Sequence, residues 1–205
     1  MKTTFNRIID DWKAVKNHCR TTVGKKFTEK EPTEKFVKAM LIAEHSPIRL
    51  IEFDWSWQNI KYWVSTEWSR YKFEKFISSQ RNDRQDKYDR NKAPQDARVS
   101  FDGYANMQNL IDAFRKRLCM QAAGEARRLA EDFKIKLSET NPLEAAVLVP
   151  NCIYRAGCPE FGNCQYWNCF VDWCKKNEKN IDTIQSRYDA YNEYFQWTKH
   201  NIMSN

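Results

Sequence analysis

Between Trp55 and Arg84 the chain reads WSWQNIKYWVSTEWSRYKFEKFISSQRNDR, in which Arg70, Tyr71 and Lys72 lead into the hydroxyl pair Ser78 and Ser79 and on to Arg81 and Arg84. These residue types suit phosphate. A guanidinium presents paired donors to phosphate oxygens, hydroxyls fill the remaining acceptor directions, and flat rings give a heteroaromatic base a surface to lie against. The same letters also describe an amphipathic helix followed by a charged strand. Farther on, Arg115, Lys116 and Arg117 form a basic run that either serves chemistry or simply complements a helix C-terminus.

A second group of reactive residues is the cysteine stretch. Of seven cysteines, Cys152, Cys158, Cys164, Cys169 and Cys174 fall close together in the pattern C-x5-C-x5-C-x4-C-x4-C. This is not the C-x2-C spacing of common zinc modules. Cys152, Cys158 and Cys164 together with Cys119 are a candidate ligand set for a tetrahedral zinc, and thiolates equally suit an iron-sulfur cluster. Buried, unligated thiols beside Trp167, Phe170 and Trp173 are the alternative.

The elements that must position these groups follow from periodicity. Phe5, Ile8, Ile9, Trp12 and Val15 lie three and four apart and predict an N-terminal helix. Thr33 is a candidate N-cap for a helix carrying Phe36, Val37, Met40 and Leu41, which ends near Glu44 ahead of Pro47. Alternation from Leu50 to Trp57 predicts a strand with one face buried. Asn59 is a candidate cap for a helix with Ile60, Trp63, Val64 and Trp68, and Phe76 and Ile77 mark a second strand. The polar segment from Asn82 to Gly103 reads as a long binding loop. Helices are predicted around Met107 to Leu118, Ala122 to Leu137 and Ile181 to Phe195.

Composition bounds the class. The chain has 205 residues with 41% hydrophobic side chains, enough for one domain with its own core. The predicted division is 1–148 for the main domain and 149–205 for a cysteine-rich segment and C-terminal helix packed on it. A formal charge of +7 favours anionic partners. The charges are interspersed, without the concentrated basic stripe of a nucleic-acid binder, which ranks a nucleic-acid-binding module below the other readings. No run has the length of a transmembrane helix and the N-terminal residues lack the apolar core of a signal peptide, so the expected location is cytoplasmic, away from membranes.

Taken in order, several motifs resemble those of the flavin-dependent thymidylate synthases, over roughly residues 33 to 140. Glu44, His45, Ser46 and Pro47 precede the strand at Leu50 as that family's His-Glu-(Ser/Thr)-Pro element does. Arg70, Tyr71 and Lys72, then Ser78 or Ser79, then Arg81 resemble its Arg-His-Arg, seven residues, Ser signature. Arg90 and Pro94 look like its Arg-x-x-x-Pro, Asn106 falls where an Asn precedes the next helix, and Arg117 with Ala122 and Glu125 resembles its Arg-x-x-x-x-Ala-Gln-Trp-Glu run. The chain departs from the pattern at Tyr71, where the family has His, at Lys72, where it has Arg, and in the shorter spacing to Ser78. An alignment that keeps the seven-residue spacing places Trp68, Ser69 and Arg70 on the triplet instead.

The resemblance implies an α+β fold, a twisted antiparallel sheet packed by helices, here with a helical C-terminal extension. It implies that Ser78, Ser79, Arg81 and Arg90 hold the phosphate of a deoxyuridine nucleotide and that Arg117 is the catalytic group facing the pyrimidine ring. Ser46, Arg70, Tyr71, Lys72 and Asn106 would bind FAD. The implied reaction moves a one-carbon unit from methylenetetrahydrofolate to C5 of dUMP, with NADPH regenerating the flavin in a homotetramer. A nucleotide-binding protein on the same fold without flavin chemistry is the second reading.

Overall fold

A computed structural model of the chain describes residues 2–84 and 88–202. In chain order its elements are β1 (Thr3–Ile9), α1 (Trp12–Thr21), α2 (Glu34–Ile42), a short 3-10 helix (Ser46–Leu50), β2 (Glu52–Lys61), α3 (Tyr62–Trp68), β3 (Glu74–Ile77), β4 (Arg98–Asn106), α4 (Met107–Arg117), α5 (Gly124–Ser138), α6 (Pro142–Ala146), α7 (Asn151–Arg155), α8 (Tyr166–Lys176) and α9 (Ile184–Ile202). The fold is α+β. The chain forms two compact units, one of Met1–Pro32 with Ser46–Leu110, the other of Thr33–His45 with Ile111–Asn205. Among the described residues no helix is long and apolar enough to cross a membrane.

The first unit is built on an antiparallel four-stranded sheet in the order β1-β2-β4-β3. Alternation sets its buried face: Phe53, Trp55 and Trp57 of β2 and Val99, Phe101 and Ala105 of β4 are all 5% exposed or less. Trp57 lies 4.8 Å from the ring of Trp68 on α3 and 5.3 Å from Phe101, and Trp55 meets Phe73 edge-on at 5.2 Å. These rings contribute the bulk of this core, at roughly 2–3 kcal/mol for each large apolar side chain withdrawn from water. Trp57 also donates its Nε1 hydrogen to Thr3 Oγ1 at 2.9 Å, tying β1 to β2.

Three sequence expectations are corrected here. The predicted N-terminal helix is β1 followed by α1. The strand pairs Phe5 with Trp55 and Ile8 with Phe53, and the register shift between Phe5 and Arg7 inserts Asn6 as an extra residue. A bulge of this kind puts residues three apart on one face, so the spacing of Phe5 and Ile8 imitates a helix. The same device recurs in β2, where the register shifts between Trp57 and Ile60 and Asn59 sits at φ 57°. Asn59 is therefore a bulge residue, and α3 begins at Tyr62 after Lys61. Finally, the predicted loop from Asn82 to Gly103 ends in a central strand, since β4 starts at Arg98. Asp102 and Gly103 carry turn chemistry in the sequence, and Gly103 is a strand residue for another reason: a Cβ there would stand 2.6 Å from Trp55 Cε2.

In the second unit, helices surround Leu41, Phe114, Leu129, Phe133, Leu148, Ile153 and Tyr191, each fully or almost fully buried. Thr33 caps α2 as expected, accepting from the Phe36 N–H at 3.2 Å. The cysteine stretch contains α7 and α8. Arg187 of α9 closes the end of α7 by donating to the carbonyls of Ile153 (3.0 Å) and Tyr154 (3.3 Å). Such carbonyls lack helical partners and need an outside donor. Lys134 of α5 is buried with its amine on Ala145 O (2.6 Å) and Asn192 Oδ1 (2.7 Å), beside the rings of Tyr191 and Phe195. Burial lowers its pKa from 10.5 to about 7.

Two stability predictions follow from this packing. Gly103→Ala forces a methyl into the Trp55 indole and is expected to cost about 1–3 kcal/mol, read as a lower denaturation midpoint. For Lys134, the folded amine is neutral and the unfolded one charged between pH 7 and 10.5. The unfolded state then binds the extra proton, so this group's destabilising effect is complete below pH 7 and disappears as pH rises toward 10.5. Lys134→Met should flatten the pH dependence of the urea midpoint across that window; an unchanged slope would remove Lys134 as its source.

Candidate functional site

β3 ends at Ile77, and the next residue prolongs the ladder through its side chain as well as its backbone. Ser78 N donates to Ser100 O at 3.0 Å, and Ser78 Oγ accepts from Ser100 N at 2.7 Å. That anchors the start of a loop in which Ser79, Arg81 and Arg90 are all exposed. Asn82 closes the loop: its Oδ1 accepts from the Arg90 N–H at 3.0 Å, bringing the Arg90 backbone against Asn82. Residues 85–87, part of the predicted binding loop, lie outside the described residues. Of the predicted phosphate residues, Ser79, Arg81 and Arg90 are thus brought onto one closed loop, with Ser78 as its hinge to the sheet.

The two guanidinium groups differ. Arg81 is held by Asp83 in a two-point pair, Nε to Oδ1 at 2.9 Å and Nη2 to Oδ2 at 2.6 Å. Among the described residues, Arg90 has no ion-pair partner. Asn82 and Asp83 are contributors that the sequence reading passed over. The signal for them was present: Asn and Asp directly after an Arg mark a turn whose side chains bond nearby backbone.

A second focus is the N-terminal end of α4. Asn106, the last residue of β4, caps the helix by accepting from Asn109 N at 3.0 Å. Asn109 in turn donates through Nδ2 to the Lys72 carbonyl at 2.8 Å, so the 70–72 turn is tied to the same helix end. Lys72 and Arg70 are exposed, and Arg70 makes a 3.5 Å ion pair to Glu67. Tyr71 points its ring into the aromatic core, 6.0 Å from Trp68 and 5.8 Å from Phe73. Ser46 is exposed at the start of the 3-10 helix. Lys72 and Asn106 therefore meet through Asn109, a residue that motif reading had not singled out. Cationic side chains near a helix N-terminus suit the acceptor oxygens of a phosphate or pyrophosphate.

Arg117 ends α4 in the second unit and is only 9% exposed. Its neighbour Arg115 pairs with Glu44 and stacks at 3.7 Å over Tyr154. The basic run thus divides between a packing role for Arg115 and a largely buried charge at Arg117.

The metal reading of the cysteines does not hold. None of the seven cysteines is in a disulfide, and among the described residues no three His, Cys, Asp or Glu side chains are grouped so as to hold a metal ion. Cys152 is buried in α7, where desolvation pushes its thiol up to about 12, while Cys164 is exposed and Cys119 and Cys158 are partly buried. A zinc or iron-sulfur site needs at least three ligands converged within bonding reach, and no such group forms among the described residues.

No protein-family model matches this sequence, and no curated protein matches it. Solved structures do. A crystal structure of the flavin-dependent thymidylate synthase ThyX from Helicobacter pylori, complexed with FAD and dUMP, aligns with a TM-score of 0.58 at 11% identity over 70% of this chain and 97% of that one. A second structure of ThyX from Helicobacter pylori with FAD and dUMP aligns with a TM-score of 0.60 at 12% identity over 72% of this chain and 99% of that one. The chain has a ThyX-like fold.

The loop geometry makes its own prediction. Removing the charge that holds Arg81 should free its fork for an anion, so Asp83→Asn is expected to raise inorganic phosphate affinity several-fold at low ionic strength. Phosphate-dependent melting shifts would measure this, and an Asp83→Asn protein no more phosphate-responsive than wild type would mean that Arg81 is not an anion ligand.

Proposed function

We propose that this protein is a flavin-dependent thymidylate synthase-like enzyme that transfers a one-carbon unit from methylenetetrahydrofolate to C5 of dUMP. The observation that carries this reading is the closed loop from Ser78 to Arg90, on a fold similar to proteins solved with FAD and dUMP. In this reading Ser79, Arg81 and Arg90 grip the nucleotide phosphate, and Ser78 fixes where the loop leaves the sheet. Arg81 exchanges Asp83 for the phosphate, trading one charged acceptor for another at little net cost.

Arg117 stabilises negative charge on the pyrimidine ring as it develops. A guanidinium buried to this degree is poorly screened by water and fixed in advance, conditions under which electrostatic stabilisation of a transition state is largest. Arg70 and Lys72, beside the capped N-terminus of α4, suit the pyrophosphate of FAD, and Ser46 would approach it from the 3-10 helix. When bound, the flavin supplies the redox chemistry of the transfer, with NADPH as the source of reducing equivalents. Assembly as a homotetramer belongs to the same proposal.

A second reading keeps the nucleotide and drops the flavin. It is favoured by two contacts: Tyr71 packs against Trp68 and Phe73, and the Asn106 carboxamide already caps α4. Titration with FAD decides between them, because the first reading requires stoichiometric binding weakened by Arg70→Ala.

For the nucleotide, dUMP is expected to bind much more tightly than deoxyuridine, with no comparable preference for a short oligonucleotide. Loss of a charge-assisted partner costs about 2–5 kcal/mol, so Arg90→Ala should weaken dUMP binding well over tenfold in calorimetry. Arg117→Ala should retain most phosphate-driven binding and lose turnover with methylenetetrahydrofolate. Equal binding of dUMP and deoxyuridine would sink the assignment.

A further inference from the structure

The cysteines that fail as metal ligands are still gathered around one feature. The segment 158–165, between α7 and α8, has no regular structure and is tied at two points to the last turn of α4 and the residues that follow it. Lys116 Nζ pairs with Glu160 Oε1 at 2.8 Å, and Gln121 Nε2 donates to Gly162 O. Cys119 lies between those two anchoring residues. Cys164 lies two residues past Gly162 and is exposed, while Cys119 is partly buried. Burial raises the Cys119 thiol, and Cys164 acts on it more strongly than Cys158 does. Cys152, deeper in α7, is the least reactive of the group, its thiol raised to about 12 by burial.

We propose that Cys119 and Cys164 form a reversible disulfide that clamps the 158–165 loop to the segment following α4. The exposed Cys164 thiolate attacks a low-molecular-weight disulfide such as oxidised glutathione, forming a mixed disulfide and releasing one small thiol. Cys119, as its thiolate, then attacks the Cys164 sulfur and displaces the second small thiol. The protein loses two electrons and two protons, which appear on the two released thiols, and a dithiol reductant reverses the exchange. The loop can follow because its two anchors are side-chain contacts and Gly162 carries no Cβ. The proposal rests on the two ties between the segments that carry Cys119 and Cys164 and stands apart from the nucleotide reading.

Native protein incubated with oxidised glutathione should lose 2 Da and two alkylatable thiols, and peptide mapping should find a Cys119–Cys164 link that dithiothreitol removes. Cys164→Ser, at an exposed position, should fold and abolish the link, whereas Cys169→Ser, at the other exposed thiol, should leave it intact. The loop supplies an independent readout, since Phe161 is fully exposed at its tip. Chymotrypsin should cut after Phe161 several-fold more slowly in the oxidised protein. A glutathione adduct persisting on Cys164, a link between any other pair, no mass change, or unchanged cleavage at Phe161 would each overturn the proposal.

Discussion

The contact between Trp55 and the backbone at Gly103 is the constraint on which the rest of the first unit depends. The two residues are partners in the β2–β4 register, and the indole occupies the volume that a β-carbon at 103 would need. Any slip of one residue would bring Asp102 or Tyr104 against the indole and turn the polar face of β4 into the aromatic core. Register fixed at that point propagates along both strands. It sets Trp57 opposite Phe101 and brings β4 to its end at Asn106, which then caps α4. It also aligns β3, whose Ile77 faces Phe101, so that Ser78 meets Ser100 and the arginine loop leaves the sheet at a defined place. Both candidate binding regions of this unit are thus suspended from one packing decision.

Within those regions the polar side chains are held before any ligand arrives. Arg81 sits on Asp83, Asn82 holds the Arg90 backbone, and Asn109 holds the 70–72 turn. Pre-orientation lowers the entropy lost on binding, while the Asp83 carboxylate competes with an incoming phosphate. The two effects oppose each other at Arg81 and not at Arg90. In the proposed site Arg90, exposed and without an ion-pair partner among the described residues, would carry the net anion attraction, and Arg81 would add selectivity for a ligand able to offer two oxygens at once.

The elements with an unbroken period were legible in the sequence: the Leu50–Trp57 alternation became β2, and the apolar stripes at Met107, Ala126 and Tyr188 became α4, α5 and α9. What failed was read through bulges. Asn6 and Asn59 each insert a residue into a strand, converting a two-residue period into a spacing of three, and both sites were assigned to helices. β4 failed for a related reason, because Gly103 signals a turn unless the indole facing it is known. In the site, residue types that bind phosphate were visible, but the residues that hold them, Asn82, Asp83 and Asn109, act through backbone geometry that no spacing rule encodes. The cysteines mislead in the opposite sense: close in sequence, they lie at different depths because α7 buries Cys152 while the following loop exposes Cys164.

The low identity to structures of the same fold follows from this division between frame and site. An aromatic sheet core asks for volume and alternation, which many sequences satisfy, and tolerates extensive replacement so long as both are kept. Phosphate recognition asks for donors of fixed geometry, and there a Lys cannot simply stand for an Arg. Tyr71 illustrates the boundary: its ring serves the core by packing beside the stacked pair of Trp68 and Phe73. Lys72 beside it keeps a charge on the exposed side of the same turn, with its carbonyl fixed by Asn109. The flavin side of the proposed site thus offers one guanidinium, Arg70, and one ammonium, Lys72, on an exposed turn, whereas the nucleotide side offers two guanidinium groups, Arg81 and Arg90. In the proposed site the nucleotide side is therefore the better furnished of the two, and a flavin would have to draw on the α4 helix end and on contacts other than Tyr71.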